Sequence, residues 1–169
     1  MKEINSSRYF IRKLNEGDYD DILKLMKGNP LYFEYYPPFP DKQDIIDDMY
    51  ALPDGKTPED KYYIGYFLND RLIAVMDLIV GYPNKHTVFI GFFMTSSTIQ
   101  NQGIGSSIIT NLINNLKSPL DTLRLAYIKG NPQAEAFWLK NGFIKTGEEK
   151  TMSNDTAAVL MERKLTNSI

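Results

Sequence analysis

Residues 87–94, TVFIGFFM, are apolar at nearly every position, so a strand built from them is apolar on both faces. Such a strand needs cover on two sides and belongs in the middle of a sheet flanked by helices. The chain then changes character. Residues 95–107, TSSTIQNQGIGSS, are small, polar and carry two glycines. From there Ile104, Ile108, Ile109, Leu112, Ile113 and Leu116 recur at helical spacing. A central strand, a glycine turn and a long helix in direct succession restrict the chain to a mixed sheet with helices packed on it.

The remaining pattern fits that frame. Residues 8–14 alternate as a first strand. Tyr19, Ile22, Leu23 and Met26 share one helical face, and Gly28-Asn29-Pro30 stops that helix. Residues 29–40, NPLYFEYYPPFP, read as an aromatic, proline-rich loop, after which Asp41 caps a helix bearing Ile45, Ile46, Met49 and Tyr50. Two strands flank Asn69-Asp70, a hairpin turn. A further strand runs to Lys129. Asn131 and Pro132 then open a helix that Gly142 closes. Strands over 143–147 and 157–163 end the pattern. The expected fold class is α/β, an α+β mixed sheet of about seven strands with about four helices on both faces, in one domain over residues 1–169.

Composition removes several functions. There is no cysteine, hence no disulfide, thiolate metal site or cysteine nucleophile. The single histidine, His86, has no G-x-S-x-G serine to activate and no partners for zinc. A net charge of -2 argues against nucleic-acid binding. No apolar run reaches membrane-spanning length, and the start, MKEINSSRYF, lacks a signal-peptide core. A cytoplasmic location is the expectation.

Glycines before a helix let an anion reach the unpaired N–H groups of its first turn. The turn lacks the lysine of a P-loop, and Ile108 stands where a dinucleotide fingerprint needs its third glycine. What remains is Gln100-x-x-Gly103-x-Gly105, a pyrophosphate cradle in which Ser106 and Gln102 add polar groups. A turn that merely packs its helix on the sheet satisfies the same pattern.

This turn, the following strand and residues 131–143, NPQAEAFWLKNGF, together resemble the GNAT superfamily of N-acetyltransferases. Asn131, Ala134, Phe137, Gly142 and Phe143 fall at the spacing of that family's second motif. The resemblance implies an acetyl-CoA-dependent acetyltransferase without a metal, and a cleft where two central strands splay into a V. The backbone of Phe93, Met94 and Thr95 would pair with pantetheine, and the Met94 N–H would polarise the thioester carbonyl. Gln100, Asn101, Gln102, Gly103, Ile104, Gly105 and Ser106 would hold the pyrophosphate, with Asn131, Phe137, Trp138 and Lys140 along the cofactor arm. Asn131 also suffices as a helix cap, and Lys140 as a solvated charge. The implied acceptor is a small-molecule amine or a peptide N-terminus, acetylated by direct transfer in a ternary complex. No nucleic acid or membrane partner is implied, and a homodimer is one assembly open to the domain. An acyl-CoA sensor without catalysis is the alternative.

Many family members place tyrosine, as the acid for the leaving thiolate, where Trp138 stands. Tyrosine acid catalysis therefore does not carry over to this position; Tyr127, another tyrosine or water is left to stabilise the thiolate, and a dedicated acid need not be present. Asp77, among apolar neighbours in AVMDLIV, is the first base candidate; a structural aspartate bonded to a backbone amide or an arginine is the competing reading. Glu34 and His86 rank behind it. Tyr32, Phe33, Glu34 and Tyr35 are the expected acceptor-binding residues, through cation–π and ionic contacts.

Overall fold

The computed structural model describes residues 8–166; the N-terminal residues read for a leader lie mostly outside that range. Seven strands form one sheet: β1 (Phe10–Lys13), β2 (Lys61–Leu68), β3 (Arg71–Val80), β4 (Thr87–Thr95), β5 (Thr122–Ile128), β6 (Ile144–Thr151) and β7 (Ala157–Lys164). They lie in the order β1-β2-β3-β4-β5-β7-β6. Only β4 and β5 run parallel; every other neighbouring pair is antiparallel. Asn69 and Asp70 both take positive φ between β2 and β3, as a tight hairpin turn requires.

Five α-helices cover the sheet: α1 (Tyr19–Lys27), α2 (Pro30–Tyr35), α3 (Lys42–Tyr50), α4 (Ile104–Asn115) and α5 (Pro132–Lys140). The sequence predicts four, and the additional one is α2. Its residues read as loop because prolines and aromatics crowd them. Pro30, however, sits at the first helical position, where a missing N–H costs nothing. The Gly28-Asn29-Pro30 signal thus ends one helix and begins another.

The two faces of the sheet carry separate cores. Ile108, Ile109 and Leu112 of α4 and Trp138 of α5 pack on Met76, Val88, Leu123 and Met161. Ile22 of α1 and Ile45 of α3 pack on Tyr63, Val75 and Met94 from the other side. Full burial of each aliphatic side chain contributes about 1.5–3 kcal/mol, so the apolar stripe of α4 alone accounts for its docking.

One irregularity shapes the centre. β4 pairs with β5 only from Thr87↔Thr122 to Ile90↔Leu125. On its other edge β4 slips register against β3: Leu78 faces Ile90 and Asp77 faces Phe92, leaving Gly91 unpaired as a bulge. A bulge bends its strand. It lies immediately after the last β4–β5 pair, so β4 and β5 diverge from there to their C-terminal ends. A Cβ on Gly91 would lie 2.9 Å from Oδ2 of Asp77, which explains the glycine.

Candidate functional site

A cavity of about 1060 Å³ fills the gap between the diverging strands. At one end stands the glycine turn. Gly103 has φ of +75° and precedes the first residue of α4. No atom lies within 4 Å of where its Cβ would be, so the conformation rather than crowding demands glycine. Gly105 is a different case. Its Cβ would come 3.0 Å from Cε2 of Phe137 and 3.7 Å from Cγ2 of Thr95. Gly105 therefore makes room for the ring of Phe137, where the sequence reading gave that space to a phosphate.

The first hydrogen bond of α4 is the cap from Ser107 N–H to the Gly103 carbonyl, 3.0 Å long. Among the described residues, the N–H groups of Gln102 through Ser106 donate to no protein acceptor. Five successive bare donors at the positive end of a twelve-residue helix can cradle an anion.

The side chains expected beside them divide. Asn101, Ile104, Ser106 and Lys140 line the cavity, but Gln102 does not. Gln100 lines it with its amide already engaged: Nε2 donates to Asn29 Oδ1 at 2.5 Å and to the Thr95 carbonyl at 3.2 Å. Asn29 Nδ2 donates to the same carbonyl at 3.0 Å. Sequence reasoning missed Asn29, seeing in it only a helix stop. It ties the start of α2 to the end of β4 and to the glycine turn.

The expected Met94 N–H donor is corrected by register. Ser96 N–H donates to the Ile73 carbonyl at 2.7 Å, and Ala74 faces Thr95. Hydrogen-bonded and non-hydrogen-bonded pairs alternate in an antiparallel ladder. Met94↔Val75 is therefore a hydrogen-bonded pair, and its N–H is consumed by β3. Phe93 and Thr95 direct their N–H and carbonyl groups the other way, into the gap toward β5. Met94 also buries its side chain beneath α1 and α3.

Along the opposite wall, Asn131 caps α5, its Oδ1 accepting from Ala134 N–H at 3.2 Å. Trp138 is buried among Phe93, Phe137 and Phe143, with ring centroids 5.9, 4.9 and 5.1 Å away. These contacts give the indole a packing role in the wall of the cavity. Tyr127 lines the cavity, and burial pushes its pKa up.

Asp77 does not line this cavity. Its Oδ2 pairs with Lys61 Nζ at 2.9 Å, and Lys61 also donates to the carbonyls of Asp48 and Ala51 at the end of α3. Burial pushes the Asp77 carboxyl up against the pull of Lys61. Its Oδ1 has no hydrogen-bond partner among the described residues. Asp77 lies in a side cavity of about 310 Å³ that shares Tyr82, Phe89 and Gly91 with the main one. Asp77 is thus paired within the protein, with a lysine where the sequence reading named a backbone amide or an arginine.

Of the expected acceptor residues, Tyr32 lines the cavity, and burial pushes its phenol up to about 12. Phe33, Glu34 and Tyr35 do not line it; Phe33 instead packs on Phe39, 4.6 Å between ring centroids. A short helix presents only one side to the sheet, and on α2 that side carries Tyr32. His86 lies away from the cavity, its Nδ1 2.8 Å from the Pro119 carbonyl. Tyr36, named in the sequence with the other aromatics of its segment, lines the cavity too, and among the lining residues that the sequence did not single out are Tyr82, Arg124 and Lys150. Strand alternation alone could have placed Arg124 on the face away from α4.

Comparison with known proteins agrees with this geometry. The sequence profile described as the acetyltransferase (GNAT) family matches residues 25–143. No curated protein matches the chain. Among solved structures, an acetyltransferase from Thermus thermophilus superposes with a TM-score of 0.75 at 19% identity, over 94% of this chain and 97% of that one. A probable acetyltransferase from Staphylococcus epidermidis gives 0.69 at 21% identity, over 94% and 99%. The ribosomal-protein-S18-alanine N-acetyltransferase from Escherichia coli gives 0.68 at 16%, over 95% and 96%. At these identities the likeness is one of fold.

Proposed function

The chain belongs to the GNAT acetyltransferase family, and from that membership we propose that it moves an acetyl group from acetyl-CoA to a primary amine by direct transfer in a ternary complex. The observation that carries this reading is the row of bare N–H donors from Gln102 to Ser106 opening on the diverged strands. Bound acetyl-CoA would supply an activated acetyl thioester. The turn amides would hold its diphosphate, and Lys140, which lines the same cavity, would meet a further phosphate. The backbone of Phe93 and the N–H of Thr95, whose carbonyl is already taken by Asn29 and Gln100, would accept pantetheine as an added strand.

The Phe93 N–H takes the role that register denies to Met94, offering a preorganised donor to the thioester oxygen. Trp138, Phe137 and Phe93 exclude water around the same point. None of the described residues lining the cavity is aspartate, glutamate or histidine. The amine would therefore enter as its free base and attack the thioester carbon; as the C–S bond breaks, the proton shed by the nitrogen would pass through water to the departing coenzyme A thiolate.

The test is isothermal calorimetry with acetyl-CoA followed by thiol release across a panel of primary amines. Binding with amine-dependent thiol release supports transfer. Binding without release from any amine supports the acyl-CoA sensor instead. Absence of binding removes both readings.

A further inference from the structure

The charge of the cavity wall is opposite to that of the chain. The protein holds 21 acidic and 19 basic residues, yet among the described residues no carboxylate lines the cavity while Arg124, Lys140 and Lys150 do. Lys140 belongs to α5, on the wall assigned above to the cofactor arm. The other two stand on the opposite face of the sheet. Leu123, Leu125 and Tyr127 of β5 are in the core beneath α4 and α5, so Arg124, Ala126 and Ile128 point away from it. Pairing sets Ala158 against Ile128 and Lys150 against Ala158. Arg124 and Lys150 therefore mark two ends of a floor whose middle is formed by Ala126, Ala158 and Leu160.

The two cations differ in state. Arg124 donates to Glu162 at 2.6 Å and to Glu148. Neither carboxylate lines the cavity, so together they fix the guanidinium from behind and offset its charge. Lys150 makes no hydrogen bond or ion pair with any described residue, and it is the uncompensated charge of the floor.

We propose that the acceptor is a primary amine that also carries a carboxylate, and that Lys150 receives that carboxylate. The inference rests on the acetyltransferase reading and names the substrate class of the same site. An acceptor with a second ammonium, such as a diamine, meets Lys150 and finds no carboxylate on the wall. An aminocarboxylate leaves its acid on the floor and turns its amine toward the open backbone of Phe93. A charge-assisted hydrogen bond of this kind is worth about tenfold to a hundredfold in kcat/KM.

The experiment compares kcat/KM, by thiol release, for a series of ω-amino acids, their carboxamides and diamines of equal length. The wild type and Lys150→Gln, Lys150→Arg and Lys150→Glu are each assayed, with acetyl-CoA affinity measured in parallel. Lys150 is exposed on an edge strand, so these variants should fold. The expected result is that acids exceed amides about tenfold or more in the wild type and in Lys150→Arg. That gap should close in Lys150→Gln, and the preference should turn toward diamines in Lys150→Glu. Equal rates for acids and amides, a wild-type preference for diamines, or a gap that survives Lys150→Glu overturns the proposal. So does a protein that binds acetyl-CoA but acetylates no aminocarboxylate. Failure to bind acetyl-CoA is a separate outcome that removes the underlying acetyltransferase reading and this inference with it.

Discussion

Gly105→Ala sets two effects of similar size against each other. Gly105 is the second residue of α4 and has ordinary helical φ, so alanine there reduces the backbone entropy lost on folding. In a helix interior that gain is about 1 kcal/mol, and it is smaller in a first turn. Against it stands the new methyl, 3.0 Å from Cε2 and 3.4 Å from Cζ of Phe137. Phe137 cannot retreat freely, because Trp138 lies 4.9 Å and Phe93 5.8 Å away between ring centroids. Overpacking of this kind costs about 1–3 kcal/mol. The net expectation is destabilisation by about 1 kcal/mol in the wild-type background. Replacing Phe137 by leucine removes the opposing ring edge. In Phe137→Leu the same Gly105→Ala change should become neutral or stabilising by about 0.5 kcal/mol. The double-mutant cycle, read from urea unfolding midpoints at constant slope, should therefore show a coupling of about 1–2 kcal/mol. A coupling below about 0.3 kcal/mol would show that Gly105 is not there to seat Phe137, and close packing would no longer explain the second glycine of the turn.

Three further outcomes follow from the same geometry. Asp77→Asn should leave the pH profile of turnover unchanged while lowering stability by about 1–3 kcal/mol, since Lys61 loses its charge partner; collapse of turnover with stability intact would restore Asp77 as base. With no carboxylate or histidine among the described residues of the cavity wall, log kcat/KM should rise with unit slope until the pKa of each acceptor amine; an inflection near neutrality common to all amines would reveal a titrating side chain. The hydrogen bond from Arg12 holds the Asp18 carboxyl below its ordinary value, so the stability it contributes is complete above about pH 4 and lost as pH falls through the depressed folded value. Asp18→Asn should flatten that part of the acid-unfolding curve and lower stability at neutral pH, and an unaltered acid limb would refute the assignment.

Much of this protein was legible in the chain because its signals are local. The doubly apolar β4, the glycine turn and the 3.6-residue period of α4 predict a buried strand feeding a helix whose first amides are open. Asn131-Pro132 announces the start of α5, and Asn69-Asp70 the hairpin, through conformational preferences that need no distant partner. α2 escaped notice because Pro30 can both stop and start a helix, and only docking of Tyr32 against Phe92 shows which side of it faces the sheet.

What only the tertiary structure decided depends on register between strands far apart in sequence. Ladder alternation hands the Met94 N–H to β3 and leaves that of Phe93 open, a difference that one residue of slip would reverse. The bulge at Gly91, on which the divergence of β4 and β5 turns, exists only as a mismatch with β3. Lys61 and Asp77 are 16 residues apart, yet their pairing removes the most conspicuous carboxylate from the cavity. Arg124 and Lys150 come to one floor because β7 lies between their strands. Side-chain chemistry is written residue by residue, whereas the direction in which a group points is set by its pairing partner.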